Sequence, residues 1–379
     1  MDFQLSEEQE MIRQMARDFA NTELLPGVIG RDEAQQFPTE QIRKMGELGF
    51  MGMMVPAEYG GSGLDMVSYV LAMEEISRID ASASVCMSVN NSLVCWGLEA
   101  YGTEEQKRRY LMPLARGEIL GAFLLSEPDA GSDASSQQTT AESQGDHYLV
   151  NGTKNWITNA NCAAVYLLIA QSDREMGSRG INALIVEKDS PGITLGPKEN
   201  KLGIRGSDTH SIMFQDVRVP RSNRIGEEGF GFRFAMKTLA GGRIGIAAQA
   251  VGIASGALAR AIAYAKQRKA FGQEISRHQA IQFKIADMAT RIEASRLLTW
   301  KAAWQKDQQL DYNLAGSMAK VHASETAMWV TTEAVQILGG YGYVREYHVE
   351  RMMRDAKITQ IYEGTSEVQR MVISRLILK

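Results

Sequence analysis

The residue with the plainest chemistry in this chain is a glutamate held in an apolar, sharply turning segment. Glu363 lies in Ile361-Tyr362-Glu363-Gly364-Thr365-Ser366, where Gly364 breaks one helix and Thr365 or Ser366 can cap the next. That last helix has the apolar register Val368, Met371, Val372 and Leu376. A carboxylate beside aromatic and aliphatic neighbours has a raised pKa, which suits a general base working near neutrality. The same pattern also describes a solvated turn residue, so the rest of the chain must decide between the two. Four other segments are worth placing. Phe123-Leu124-Leu125-Ser126-Glu127-Pro128-Asp129-Ala130-Gly131-Ser132-Asp133 reads as a strand followed by a loop of Asx and Gly turn residues. Trp156-Ile157-Thr158 reads as strand, its indole a default core residue. Arg268-Lys269 reads as a helix C-terminus favoured by the dipole, and Gly339-Gly340 as another helix end.

Composition bounds the context. A chain of 379 residues is long enough for two or three domains and a sizeable core. The formal charge of −4, with both signs interspersed, describes an ordinary surface without a nucleic-acid-binding run. No stretch is expected to span a membrane. The acidic N-terminus starts a helix directly, which predicts no signal or transit peptide and a cytoplasmic, bacterial-type location. Cys86, Cys95 and Cys162 form no CxxC and read as reduced core thiols. His147, His210, His278, His322 and His348 are scattered, so no metal site is expected. The 20 methionines read mainly as adaptable core filling.

The elements that must position these residues fall into three parts. Residues 1–118 read as all-helical: a capping box at Ser6-Glu7-Glu8-Gln9, helices over Thr39–Gly49, Val67–Ile79 and the small, apolar Asp80–Val94, then a capping box at Thr103-Glu104-Glu105-Gln106. Pro56–Gly63 reads as a tight connection, since no strand leads in and no Lys-Ser/Thr pair follows. Residues 119–231 read as closely spaced strands without intervening helices, which predicts an antiparallel barrel or sandwich. Within them, Asn151-Gly152 predicts a hairpin turn between Tyr148-Leu149-Val150 and Trp156-Ile157-Thr158. No GxGxxG follows a strand, so a nicotinamide cofactor is not expected. Residues 232–379 return to long helices, roughly Arg243–Arg268, Gln279–Asp307 and Tyr312–Leu338, with Ala, Gly and Ser on faces suited to a four-helix bundle.

The stretch Asp355-Ala356-Lys357-Ile358-Thr359-Gln360-Ile361-Tyr362-Glu363-Gly364-Thr365-Ser366-Glu367 closely resembles the C-terminal signature of the acyl-CoA dehydrogenases, and the helical–β–helical order is similar over the whole chain. The resemblance implies a flavoenzyme that oxidises the α,β bond of acyl-CoA thioesters with FAD and passes electrons to electron-transferring flavoprotein. Glu363 would remove the α-proton, a hydride would pass from the β-carbon to flavin N5, and the Glu363 N–H with a flavin ribityl hydroxyl would polarise the thioester. Phe123, Leu125, Ser126, Trp156, Ile157 and Thr158 would face the flavin ring, and Ser132 would reach both the cofactor and the CoA arm. Arg268, Phe271, His278, Gln279, Gln336, Gly339, Gly340, Thr365 and Glu367 would contact the dinucleotide, several of them across a subunit interface in a homotetramer. Arg243, Tyr362 and Gly364 would bound the substrate. Asp129 stands where the family commonly has Gly, and Ala240 where many relatives have Asp. Gly241 and Gly242 lack the carboxylate that other branches carry on this helix.

Ser88-Val89-Asn90-Asn91-Ser92-Leu93 and Lys201-Leu202-Gly203-Ile204-Arg205-Gly206-Ser207 are most similar to the short-chain, butyryl-type branch. The alternatives are a branched short-chain dehydrogenase, an acyl-CoA oxidase, or a flavin- or acyl-CoA-binding protein without turnover. Residues 84–95 hold no Arg for a second carboxylate, which argues against a glutaryl-CoA enzyme.

Overall fold

The computed structural model describes residues 4–379. Ser6 opens α1 (Glu7–Phe19) with the expected capping box, its hydroxyl accepting from the Gln9 amide at 3.1 Å while the Gln9 side chain accepts from the Ser6 amide. After α2 (Val28–Glu33) and α3 (Thr39–Glu47), the core of this part is α4 (Met66–Ser77) against α5 (Ala81–Ser88). From α5 the helix continues through a π-helical stretch, Val89–Cys95, into α6 (Trp96–Tyr101). The short α7 (Glu104–Gln106) and α8 (Met112–Ala115) follow.

Val89–Cys95 is fully buried, and its widened turn has an identifiable support. The Asn90 amide donates to the carbonyls of Met51 at 2.8 Å and Leu114 at 3.0 Å. The Asn91 amide donates to Phe50 O at 2.8 Å and its oxygen accepts from Met53 N at 2.8 Å. Buried amides so paired stabilise the π turn and lock it to the loop beneath.

The middle part is one seven-stranded sheet: β1 (Gly121–Leu124), β2 (Thr140–Gln144), β3 (His147–Thr158), β4 (Val165–Gln171), β5 (Ile181–Glu187), β6 (Ile193–Leu195) and β7 (Thr209–Pro220). The order is β1-β4-β2-β3-β7-β6, with β5 on β4. Two expectations need correction. The sheet is mixed, because β1 pairs with β4 in parallel and β2 meets β4 in parallel at Thr140 and Gln171. Asn151-Gly152 makes no hairpin. It lies inside β3, where Asn151 alone opposes Gln215 and Asp216 of β7, a bulge in which Asp216 has φ 52°. The Asn151 amide donates to Asp216 Oδ1 at 3.0 Å, and the Asp216 N–H returns to Asn151 Oδ1 at 2.8 Å. The turn chemistry of Asn-Gly serves to bend two long strands together, and the hairpin falls earlier, at Gly145.

The last part comprises α9 (Gly231–Gln267), α10 (Gln279–Asp307), α11 (Asn313–Leu338), α12 (His348–Ile358) and α13 (Ser366–Ile377), with a two-residue ribbon, β8 (Lys269–Ala270) and β9 (Gln273–Glu274), between α9 and α10. α9 begins well before the expected Arg243, because Gly231–Ala240 carries no breaker that the helix must stop at. It is also long and apolar enough by composition to cross a membrane, contrary to expectation, but most of that apolar length is buried inside the protein, where α9 packs on α4, α10, α11 and α12. Its glycines allow close approach: a Cβ at Gly252 would meet the Glu74 carbonyl at 2.3 Å. On α13 the expected apolar register is not a core seam. Met371 is exposed and only Ser366 and Gln369 are fully buried, since α13 rests on α11 along one edge.

One polar junction ties the three parts to α12. Asp355 accepts from the Ile204 N–H at 2.5 Å and from Arg351 at 2.8 Å, while Arg354 pairs with Asp32 at 2.7 Å. Ile204 adopts a φ of 43° to reach that carboxylate.

Candidate active site

A cleft of about 290 Å³ opens where the three parts meet. The helical start contributes Val85, Val89 and Leu93 from α5 and the pinned π stretch. The sheet contributes Phe123, Leu125 and Ser126 after β1 and Trp156, Ile157 and Thr158 at the end of β3, with Ser132 at the rim. The bundle contributes Arg243 from α9 and Tyr362, Glu363 and Gly364 from the turn between α12 and α13. Eleven residues expected from the sequence are thus brought together: Phe123, Leu125, Ser126, Ser132, Trp156, Ile157, Thr158, Arg243, Tyr362, Glu363 and Gly364.

The turn that carries Glu363 is fixed from three helices. The Tyr362 hydroxyl donates to Gln249 of α9, whose amide donates to Ala81 O at 3.1 Å and Ser84 Oγ at 2.9 Å. Lys320 of α11 donates to the Gly364 carbonyl at 2.6 Å. Gln369 of α13 donates to the carbonyls of Glu363 at 3.2 Å and Gly364 at 3.0 Å. Thr365 caps α13, accepting from Val368 N at 3.3 Å. Glu363 itself is held at φ 52°, in the left-handed region that costs a non-glycine residue of order 1 kcal/mol or more.

The carboxylate is desolvated and underused. Its Oε2 is buried without a hydrogen-bond partner. Burial pushes its pKa up to about 7, against the pull of Lys320 and Arg243 in the opposite direction. Arg243 is buried, donates to Ser317 Oγ at 3.2 Å, and leaves Nε unpartnered. Beside them stands Gly242, and a Cβ there would lie 2.0 Å from Glu363 Oε2 and 2.9 Å from a Leu93 methyl.

The opposite wall is equally constrained. Trp156 has φ 61° and an exposed indole, so it is no core residue. Behind it Lys154 is fully buried and donates to Glu127 at 2.8 Å, Leu125 O at 3.0 Å and Gln137 at 3.2 Å. Glu127 accepts in turn from the Gln138 and Thr139 amides at 2.6 and 3.0 Å. The loop after β1 is clamped as well, by Asn155 N donating to Ser126 O at 2.8 Å. Asp129 is exposed and outside the cleft lining.

The remaining expected residues lie elsewhere. Arg268, Gly339 and Gly340 line a second groove with Tyr264 and Tyr341, where the Arg268 guanidinium lies 5.7 Å over the Tyr341 ring. Phe271 is 96 % exposed, meeting only the edge of His278 at 6.0 Å. Gln279, Gln336 and Glu367 are exposed on α10, α11 and α13. Sequence reasoning missed Lys320, Gln249, Gln369 and Lys154. The one local signal was a cation, Lys320, directly after the mostly small run Gly316-Ser317-Met318-Ala319.

Helices, then a curled sheet, then a helix bundle are the three-domain architecture of the acyl-CoA dehydrogenases. The chain belongs to that family: the profiles Acyl-CoA dehydrogenase N-terminal, middle and C-terminal domain match residues 6–118, 122–217 and 229–378. It is similar to the short-chain specific acyl-CoA dehydrogenase of Clostridium acetobutylicum, 51% identical over the full length of both chains. Butyryl-CoA dehydrogenase from Megasphaera elsdenii superposes with a TM-score of 0.98 at 48% identity, covering 100% of each chain. A chain from a structure described as "Electron transferring flavoprotein of Acidaminococcus fermentans: Towards a mechanism of flavin-based electron bifurcation" superposes at 0.99 with 52% identity and the same coverage.

Proposed function

We propose that this protein dehydrogenates short-chain acyl-CoA thioesters to trans-2-enoyl-CoA, with FAD as cofactor, electron-transferring flavoprotein as electron acceptor, and a homotetramer as the working form. The observation that carries the reading is Glu363, whose buried, unpartnered Oε2 faces the cleft with a pKa near 7. Such a carboxylate is ionised enough to accept a proton at neutral pH and basic enough to do so from a weak carbon acid.

The lining suits a flavin. Phe123, Leu125 and Ile157 offer an apolar wall, Ser126 and Thr158 offer hydroxyls at its edge, and Trp156 offers an aromatic face. Bound there, FAD would supply the hydride acceptor for the β-hydrogen. The chain's own residues do the rest. Glu363 takes the α-proton, and its backbone N–H polarises the thioester carbonyl so that the α-position is acidic enough to lose it. Val85, Val89 and Leu93 bound a short acyl chain and exclude water from the reacting carbons. Arg268, Phe271, His278, Gln279, Gln336, Gly339 and Gly340, remote from this cleft, hold FAD bound mainly by a neighbouring subunit, with Thr365 and Glu367 completing the contacts.

Anaerobic titration of the yellow holoenzyme with butyryl-CoA tests this. Bleaching of the flavin supports the reading. A protein that binds acyl-CoA and stays yellow would be a non-catalytic binder, and rapid consumption of oxygen during turnover would make it an oxidase.

A further inference from the structure

We propose that Lys320 is a positioning residue for proton abstraction: its buried ammonium fixes the Gly364 carbonyl and sets a positive charge against the Glu363 carboxylate. The inference rests on reading Glu363 as the base. Lys320 is fully buried on α11, and no carboxylate pairs with it among the described residues. A lysine so placed is costly to bury. Its hydrogen bond, 2.6 Å to the Gly364 carbonyl, does not explain that cost, because Gln369 donates to the same oxygen at 3.0 Å. What Gln369 lacks is the charge.

The groups facing Glu363 are few. Lys320 comes from α11 and Arg243 from α9; Tyr362 on the turn itself and Tyr69 on α4 are phenols kept neutral by burial. The π stretch brings a Leu93 methyl close to the same point. Glu367, on α13, faces Lys320 from the exposed side. Arg243 is drawn toward Ser317 of α11, so the cation tied to the catalytic turn itself is Lys320. Burial brings the Lys320 ammonium down to about 8, against the pull of Glu363, with Arg243 adding to the lowering.

Three substitutions separate hydrogen bond from charge. Lys320→Gln keeps a donor without charge, Lys320→Met keeps neither, and Lys320→Arg keeps both. In each holoenzyme the pH dependence of flavin bleaching by butyryl-CoA is measured, with the thermal midpoint as a folding control. Independently of activity, a carboxyl-13C glutamate NMR titration follows Glu363, its resonance assigned by its loss in Glu363→Gln. Removing a neighbouring cation disfavours the carboxylate. Lys320→Gln and Lys320→Met are therefore expected to move the acid limb and the NMR midpoint to higher pH by about one unit, and Lys320→Arg to leave both in place. A folded Lys320→Gln with both midpoints unmoved overturns the proposal, as does loss of fold in Lys320→Gln while Lys320→Arg folds, which would make Lys320 a folding element. If Glu363→Gln still bleaches at the wild-type rate, the base reading itself fails, whatever Lys320 does.

Discussion

Gly242 makes room for Glu363: a Cβ on the α9 glycine would stand 2.0 Å from the carboxylate oxygen Oε2. Two separate elements therefore converge on one point in the cleft. A base mounted at 242 could reach that point only if 363 vacates it. Gly242→Glu alone is expected to damage the enzyme by collision and like-charge repulsion. Gly242→Glu with Glu363→Gly should recover part of the activity, with altered chain-length preference. Recovery should be incomplete, since a misplacement of about 1 Å can cost on the order of a hundredfold. Stopped-flow reduction of bound FAD reads this, and a double variant no better than Glu363→Gly alone would refute it.

Glu363→Gln keeps size and hydrogen-bonding capacity but cannot accept the α-proton. FAD and acyl-CoA should remain bound while flavin reduction falls by several orders of magnitude. The same stopped-flow measurement decides, and near wild-type reduction would remove Glu363 from its role.

The pH dependence follows from the raised pKa. Activity should fall on the acid side of about 7, as Glu363 becomes protonated. Stability runs the other way. The folded value lies above the ordinary carboxylate value of 4.5, so the contribution of Glu363 to the fold is fully present below that value and is lost as pH rises through about 7. Glu363→Gln should accordingly gain thermal stability over wild type at pH values above this window and lose that advantage below it. Parallel melting curves across the range check the sign.

Substrate preference is expected at about four to six carbons of straight acyl chain. A methylene in an apolar pocket is worth only about 1 kcal/mol, so the profile should decline gradually. Bleaching rates across acyl lengths measure it, and a maximum with dodecanoyl-CoA would contradict the short-chain reading.

Arg268→Ala is expected to loosen FAD and the oligomer together, because Arg268 and Gly339-Gly340 line a groove apart from the cleft that holds Glu363. Flavin content after gel filtration and sedimentation velocity test this jointly. A monomer that keeps its full complement of FAD would defeat the cross-subunit assignment.

Much of this organisation was legible in the sequence because it is written in local periodicity. The capping boxes at Ser6 and Thr103, the change from helix to strand after Gly121 and the bounds of α10 all depend on neighbours in the chain. The expected cleft residues were legible only through resemblance, since nothing local brings Ser126, Thr158 and Glu363 together. Asn151-Gly152 misled because its turn propensity is local, whereas the strand that overrides it is held by β7, some 60 residues away. Lys320 and Gln249 were hard to see for the same reason, since their partners on the turn lie far away in the chain. Each acts on a turn from a different helix, and on its own helix each is merely a polar residue.

The backbone at 363 has a consequence for redesign. Its left-handed φ suits glycine, its burial resists charge, and the neighbouring position is already Gly364. The backbone and the burial at that point both argue for a residue that the proposed reaction cannot use. A programme that optimised this protein for thermostability alone would tend to write glycine there and produce a robust, inert scaffold. The position therefore separates two selections: one for a chain that folds, the other for a chain that turns over.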